Sequence, residues 1–220
     1  MSIDTWYLDN LVCPRTRSPL SDSGVGLASP EGARYPVVDG LPVLLRDDVE
    51  QTIGLARASM ARASGQLVDQ RAPELYLESL GISEAEKLGV LALAQNRGDA
   101  IDPVISFLVA ATNGIAYKQL LGKLDRYPIP AFPLEGNGQL LDLGCSWGRW
   151  SLAAAKRGFN VVGLDPSLGA LMAARRAAQA LGLQSRYVCG DARFLPFRDA
   201  CFDAVFSYSV LQHLPDVCRR

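Results

Sequence analysis

Three acidic residues and one glycine-bearing turn carry the part of this sequence that could do chemistry. Residues 140–150 read Leu-Leu-Asp-Leu-Gly-Cys-Ser-Trp-Gly-Arg-Trp, an apolar run that ends in a turn containing Gly144, Cys145 and Gly148. Glycines in such a turn let the backbone approach a ligand that a Cβ would block. A second apolar run, Val161-Val162-Gly163-Leu164, ends in Asp165, 21 residues beyond Gly144, and is followed by Pro166 and Ser167. A carboxylate so placed can accept hydrogen bonds from both hydroxyls of a ribose. Gly190-Asp191-Ala192 follows a third run, and Cys201-Phe202-Asp203-Ala204-Val205-Phe206-Ser207 makes a fourth. A dinucleotide fingerprint would need G-x-G-x-x-G to cradle a pyrophosphate on a helix N-terminus. Here Gly144 and Gly148 enclose three residues and stand beside the bulky Trp147 and Trp150, so a dinucleotide fits poorly. His213, the only histidine, lies just past the fourth run. Its ordinary pKa, about 6.5, makes it a candidate general base, with packing or helix capping as the alternative. Asp203 reads as a cap or turn residue.

The elements that must position these residues alternate along residues 138–216. Strands are predicted over 140–143, 161–164, 186–189 and 202–207, and helices over 147–157 and 168–181. That order is the signature of an α/β fold, a Rossmann-like doubly wound parallel sheet with crossover helices. Such sheets bind ligands at the carboxyl ends of their strands, which is where the residues above fall.

The motifs Leu-Asp-Leu-Gly-Cys, Gly-Leu-Asp-Pro-Ser, Gly-Asp-Ala-Arg-Phe-Leu-Pro-Phe and Phe-Asp-Ala-Val-Phe-Ser-Tyr-Ser-Val-Leu-Gln-His-Leu-Pro-Asp resemble those of the class I S-adenosylmethionine-dependent methyltransferases. The resemblance implies S-adenosylmethionine as cofactor. Asp142, Gly144 and Cys145 would border its methionine part, with Gly148 in the same loop; Asp165 would hold the ribose, with Pro166 and Ser167 beside the adenine. Asp191 and Ala192 would recognise the adenine edge, and Ser207 with Tyr208 would line the methyl-bearing end. Ser146 replaces the family's usual second loop glycine, which is tolerable if its φ stays negative. Members of the family continue with three more strands beyond the fourth, so the sequence reads as C-terminally incomplete, with a raw sheet edge prone to association. A non-catalytic cofactor-binding or partner-binding module is the alternative reading.

Ahead of this region the sequence divides into residues 1–46, rich in strand and turn signals, and residues 47–135, rich in Ala, Leu, Glu, Arg and Gln. Asp39-Gly40 between apolar runs predicts a hairpin. Ser83-Glu84-Ala85-Glu86 offers a helix start, 115–124 reads as an amphipathic helix, and the prolines at 128, 130 and 133 mark a boundary before the third unit, 136–220. Leu11-Val12-Cys13-Pro14 with Tyr35-Pro36-Val37-Val38-Asp39-Gly40-Leu41-Pro42-Val43-Leu44 resembles the small zinc-ribbon-like domain of the tRNA and protein methyltransferase activator subunit. Metal-binding relatives carry CPxC; here Thr16 stands at the second position, so a metal-free version with Cys13 as a small buried hydrophobe is expected. The helical middle would be a lid over the acceptor pocket or a spacer.

With 49% hydrophobic and 20% charged residues and a formal net charge of -1, the composition is that of a soluble globular chain. No run of Lys or Arg advertises a nucleic-acid surface, and small molecule, RNA and protein all stay open as methyl acceptor. Five scattered cysteines without a CxxC pair suit reduced thiols and a cytoplasmic setting. No apolar stretch approaches the roughly 18 residues that span a bilayer, so no membrane partner is expected.

Overall fold

The computed structural model describes residues 3–65 and 129–215. The helices expected near Ser83 and over 115–124 lie outside the described residues. In the N-terminal unit, α1 (Thr5–Asn10) is capped by Asp4, whose carboxylate accepts the Trp6 N–H at 2.9 Å. Four short strands, β1 (Ser21–Asp22), β2 (Gly26–Ala28), β3 (Arg34–Val38) and β4 (Leu41–Pro42), pair antiparallel in sequence order. The β3–β4 turn is the expected hairpin: Asp39 and Gly40 hold φ of 55° and 77°, the positive pair of a type I′ turn. The helix α2 (Gly54–Ala63) follows.

The second sheet contains β5 (Gln139–Leu143), β6 (Asn160–Asp165), β7 (Ser185–Cys189) and β8 (Ala204–Ser207), with α3 (Arg149–Lys156) and α4 (Leu168–Ala180) as crossovers. All pairings are parallel and the order is β7-β6-β5-β8. The chain therefore runs outward from β5 and returns to its other side, which opens a crevice at the strand ends between β5 and β8. Two boundaries differ from expectation by two residues. The first crossover helix starts at Arg149 and not at 147, because Gly148, at φ 84°, cannot join it. The fourth strand starts at Ala204 and not at 202, because Asp203 turns its carboxylate back to accept the Gln139 N–H at 2.7 Å.

Successive residues of a strand face opposite sides, and the two sides of this sheet are covered differently. Leu140 and Val161 pack on α3 through Ala153, Ala154, Phe159 and the incoming Phe132. Tyr187 and Cys189 pack on α4 through Leu168, Leu171 and Ala174. The opposite side, formed by Leu141, Leu143, Val162, Leu164 and Val188, is covered by the N-terminal unit through Tyr7, Leu11, Leu20, Leu27, Tyr35 and Leu44. Each such side chain removed from water contributes roughly 1.5–3 kcal/mol, so the two units share one core.

They also share an edge. Leu44 donates its N–H to Cys189 O at 2.7 Å and Val43 bridges Cys189 in parallel. Farther along β7, the Tyr7 hydroxyl donates to Tyr187 O at 3.0 Å and accepts the Tyr187 N–H at 3.2 Å. One phenol thus satisfies both backbone groups of an edge residue that would otherwise invite another strand. β8 is the open edge: among the described residues it pairs with β5 alone, and Val205 is 60% exposed.

Candidate functional site

A cavity of about 750 Å³ opens at the carboxyl ends of the parallel strands. From the turn after β5 it takes Gly144, Cys145, Ser146, Trp147, Arg149 and Trp150; from the ends of β6 and β7, Asp165, Pro166, Asp191 and Ala192. Tyr208, Val210 and His213 close it beyond β8. Of the residues singled out in the sequence, Gly144, Cys145, Asp165, Pro166, Asp191, Ala192, Tyr208 and His213 stand on this wall.

The other four stand behind it. Asp142 is buried and accepts the Ser151 hydroxyl proton at 2.6 Å, tying β5 to α3. Gly148 is the joint between the turn and α3: a Cβ there would lie 2.8 Å from Ala174 Cβ on α4. Ser167 caps α4, its hydroxyl accepting the Ala170 N–H at 3.2 Å, and Ser207 donates its hydroxyl to Leu143 O at 3.3 Å.

Asp165 is the best-defined polar group on the wall. Its Oδ1 accepts the Ser167 N–H and its Oδ2 the Ser146 N–H, each at 2.9 Å. A carboxylate has about four lone-pair sites, so each oxygen keeps one for a further donor. A vicinal diol offers two donors at matching spacing. Burial pushes the Asp165 carboxyl up to about 6. Burial, aided by the nearby Asp165 charge, pushes Asp142 up to about 7. Cys145 and Cys189 are raised by burial as well, so both stay thiols and serve as packing groups.

Asp191 also holds a neighbouring side chain. Its carboxylate holds Arg193 through Nε at 2.9 Å and Nη2 at 2.6 Å, and accepts the Arg193 N–H at 2.8 Å. Capacity for one further donor remains. The same Nη2 donates to Glu50 O at 2.9 Å.

Ser146 departs from expectation. Its φ is 50°, not negative. The turn keeps the left-handed shape of a glycine position and bends a side chain into it, with the Ser146 N–H fixed on Asp165. The left-handed conformation costs a non-glycine residue roughly 1–2 kcal/mol, and glycine returns about 0.5–1 kcal/mol of this through its freer unfolded chain. Ser146→Gly is therefore expected to raise stability by about 0.5–1 kcal/mol, read as a higher thermal midpoint.

At the far end, Arg149 stacks on Trp150 and Tyr208, its Cζ 5.3 Å from each ring centroid. Trp150 also packs on Phe206, and its Nε1 is buried without a hydrogen-bond partner among the described residues. His213 is exposed at the rim, its Nε2 3.2 Å from Gln212 Nε2. Sequence reasoning missed Thr52, Ile53, Leu55 and Ala56, which complete the wall from α2 and the turn before it. No local pattern marks them; they reach the site only through the tertiary fold.

Residues 140–220 match the family described as "Methyltransferase domain". The ubiquinone biosynthesis O-methyltransferase of Azorhizobium caulinodans is 35% identical over 85 residues, 39% of this chain and 33% of its own length. That of Rhizobium johnstonii is 38% identical over 92 residues, 42% of this chain and 37% of its own length. The chain thus spans about a third of the length of these curated relatives. Among solved structures, an S-adenosylmethionine-dependent methyltransferase from Clostridium acetobutylicum matches at 26% identity, covering 33% of this chain and 29% of its own, with a TM-score of 0.31. The 16S rRNA N2 G1207 methyltransferase of T. thermophilus matches at 26% identity over 35% of this chain and 20% of its own, with a TM-score of 0.32. The family match and the curated relatives thus make residues 140–220 similar to methyltransferase domains.

Proposed function

We propose that this protein binds S-adenosylmethionine in the 750 Å³ cavity and transfers its methyl group to an acceptor entering from the Tyr208 and His213 side. The observation that carries the reading is Asp165, a buried carboxylate on the cavity wall with one lone pair free on each oxygen after holding Ser146 and Ser167. Bound there, the cofactor would supply a methyl group already activated by its sulfonium. The chain's own residues then have five tasks. Asp165 takes the ribose hydroxyls. Gly144 lets the turn pass close beneath Val210, where a Cβ would clash, and Asp191 and Ala192 bound the adenine end. Trp150 and Tyr208 narrow the opposite end and exclude water, so that orientation supplies most of the acceleration. His213, on the rim, is the side chain placed to take a proton from an acceptor hydroxyl.

Two relatives named as O-methyltransferases support a hydroxyl acceptor. Arg149 at the same end suits an acceptor that carries negative charge. The described cysteines, 13, 145, 189 and 201, are all free, which supports a cytoplasmic setting. No helix among the described residues is long and apolar enough to cross a membrane. A metal-free relative of the zinc-ribbon-like activator domain is the reading we favour for the N-terminal unit. Cys13 there is fully buried with its Sγ 3.1 Å from the Oη of Tyr35 on β3 of the antiparallel sheet. The open edge of β8 is where a further strand, from a partner chain or a second copy, would pair.

Calorimetric titration of the chain with S-adenosylhomocysteine tests the cofactor reading: saturable one-to-one binding is expected, and a folded sample that takes up none defeats it. The buried acids add a pH signature. Asp165 must be ionised to accept two hydroxyl donors, and its carboxyl is raised to about 6. Affinity should then rise about tenfold between pH 5 and pH 7 as the ionised fraction goes from about a tenth to about nine-tenths. Stability of the cofactor-free protein runs the other way. Asp142 and Asp165 hold protons in the fold at pH values where the unfolded chain, near 3.8, has released them. Their contribution to stability is therefore lost as pH rises from about 4 through 6 to 7. Titrations and thermal melts over pH 5–8 should show these opposite slopes.

A further inference from the structure

The cofactor cavity lies in the C-terminal half, yet two ties from residues 50–59 reach the backs of its two acidic residues. The first is Ser59 on α2, whose side chain is almost wholly buried at 2% exposure. Its hydroxyl accepts the Leu168 N–H at 2.8 Å and lies 2.8 Å from both Pro166 O and Leu55 O, either of which can take its one proton. Ser59 thus grips the Asp165-Pro166-Ser167 turn on both sides of the α4 cap. The second tie is Glu50, whose carbonyl accepts Arg193 Nη2 at 2.9 Å while Arg193 clasps Asp191. Between the two ties, Thr52, Ile53, Leu55 and Ala56 form part of the cavity wall itself. Ala56 is buried, in one cluster with Leu168 and Leu171 of α4.

We propose that the segment 50–59 is a built-in part of the cofactor site and that Ser59 is a positioning residue, acting through the Asp165 turn. The proposal rests on the cavity being the S-adenosylmethionine site. Asp165 and Ser167 hold the turn from within, through the Ser146, Ser167 and Ala170 amides, but the Leu168 N–H has Ser59 as its acceptor. Leu168 N–H is at the first position of a helix, where no intrahelical acceptor exists, and a proline supplies no amide to anchor the turn. With Ser59 in place, Asp165 faces the cavity before any ligand arrives. Without the hydroxyl, Pro166 C=O keeps the Cys189 thiol but the buried Leu168 N–H loses its acceptor and turns outward to find water, and each binding event must reverse that movement. Preorganisation of this kind appears in the affinity.

The test compares Ser59→Thr with Ser59→Val in the full chain. The two side chains have nearly the same shape and differ in the hydroxyl. S-adenosylhomocysteine affinity is measured well below each thermal midpoint, beside the parent chain and Asp165→Ala. Expected is a loss of about tenfold or more for Ser59→Val, the scale of one buried donor left unsatisfied, with Ser59→Thr at least threefold tighter than Ser59→Val. Equal affinity of the two, whether both match the parent or both are weakened alike, overturns the proposal. If Ser59→Val does not fold, Ser59→Ala takes its place, and binding equal to that of the parent overturns the proposal. Failure of the parent chain to bind, or binding unaffected by Asp165→Ala, condemns the cofactor reading instead, so the two failures are distinguishable.

Discussion

Asp165→Ala should reduce S-adenosylhomocysteine affinity by about 100-fold or more while leaving the chain folded. Two hydroxyl donors to one carboxylate are charge-assisted hydrogen bonds of about 1.5–3 kcal/mol each, so their joint loss is roughly 3–6 kcal/mol, or 10² to 10⁴ in affinity. The substitution also releases the Ser146 and Ser167 amides, which loosens the turn further. Stability should suffer less than binding. Burial raises Asp165 to about 6, which means that its charge is held at a cost in the empty fold. Calorimetry for binding and a thermal melt for folding separate the two effects. An affinity loss below about threefold would show that ribose recognition lies elsewhere.

The largest effect on stability is expected at Gly148. Gly148→Ala asks a side-chain-bearing residue to hold a φ of 84° and puts its Cβ 2.8 Å from Ala174 Cβ and 3.1 Å from Tyr187 Oη. The left-handed conformation costs roughly 1–2 kcal/mol, and forcing extra volume between packed elements roughly 1–3 kcal/mol. Their sum, about 3 kcal/mol, is a large share of a typical stability of about 5–15 kcal/mol. Gly158 supplies the internal comparison. Its φ is 96°, but a Cβ there would meet nothing within 4 Å. Gly158→Ala should lose only the backbone part, about 1–2 kcal/mol. The thermal midpoints of the two variants isolate the α3–α4 contact; equal midpoints would show that the two helices separate without cost.

Much of the parallel sheet was legible because three of its four strands end at a residue with a reason to stop. Leu143 runs into Gly144, Asp165 into Pro166 and Cys189 into Gly190, and these stops are what place the cavity. Asp39-Gly40 announced its hairpin for the same kind of local reason. The helix boundary at Gly148 was not legible, since a glycine near a helix start reads equally as its first residue or as the joint before it. α1 escaped because six residues are too few to show a period, and what holds it is Asp4 at its cap and Tyr7 on a strand 180 residues away. Ser59 is the plainest case. Its partners, Pro166 and Leu168, are 107 and 109 positions distant, and one serine in an alanine-rich helix carries no sign of them.

Tyr7 on the edge of β7 has a meaning for the order in which the chain is made. Its partner Tyr187 is 180 residues later, and Arg186 meets Asp4 and Asp199 meets Arg17 across similar separations. At about 5–20 residues per second of synthesis, the first helix waits roughly 10 to 40 seconds before the strand it seals exists. During that interval Tyr7, Leu11, Leu20 and Leu27 have no parallel sheet to cover, and they are the residues a nascent-chain chaperone would meet. A chain in which Tyr7 closes a strand made 180 residues later commits late, so refolding governed by such distant contacts belongs to the slow, millisecond-to-second range of small domains.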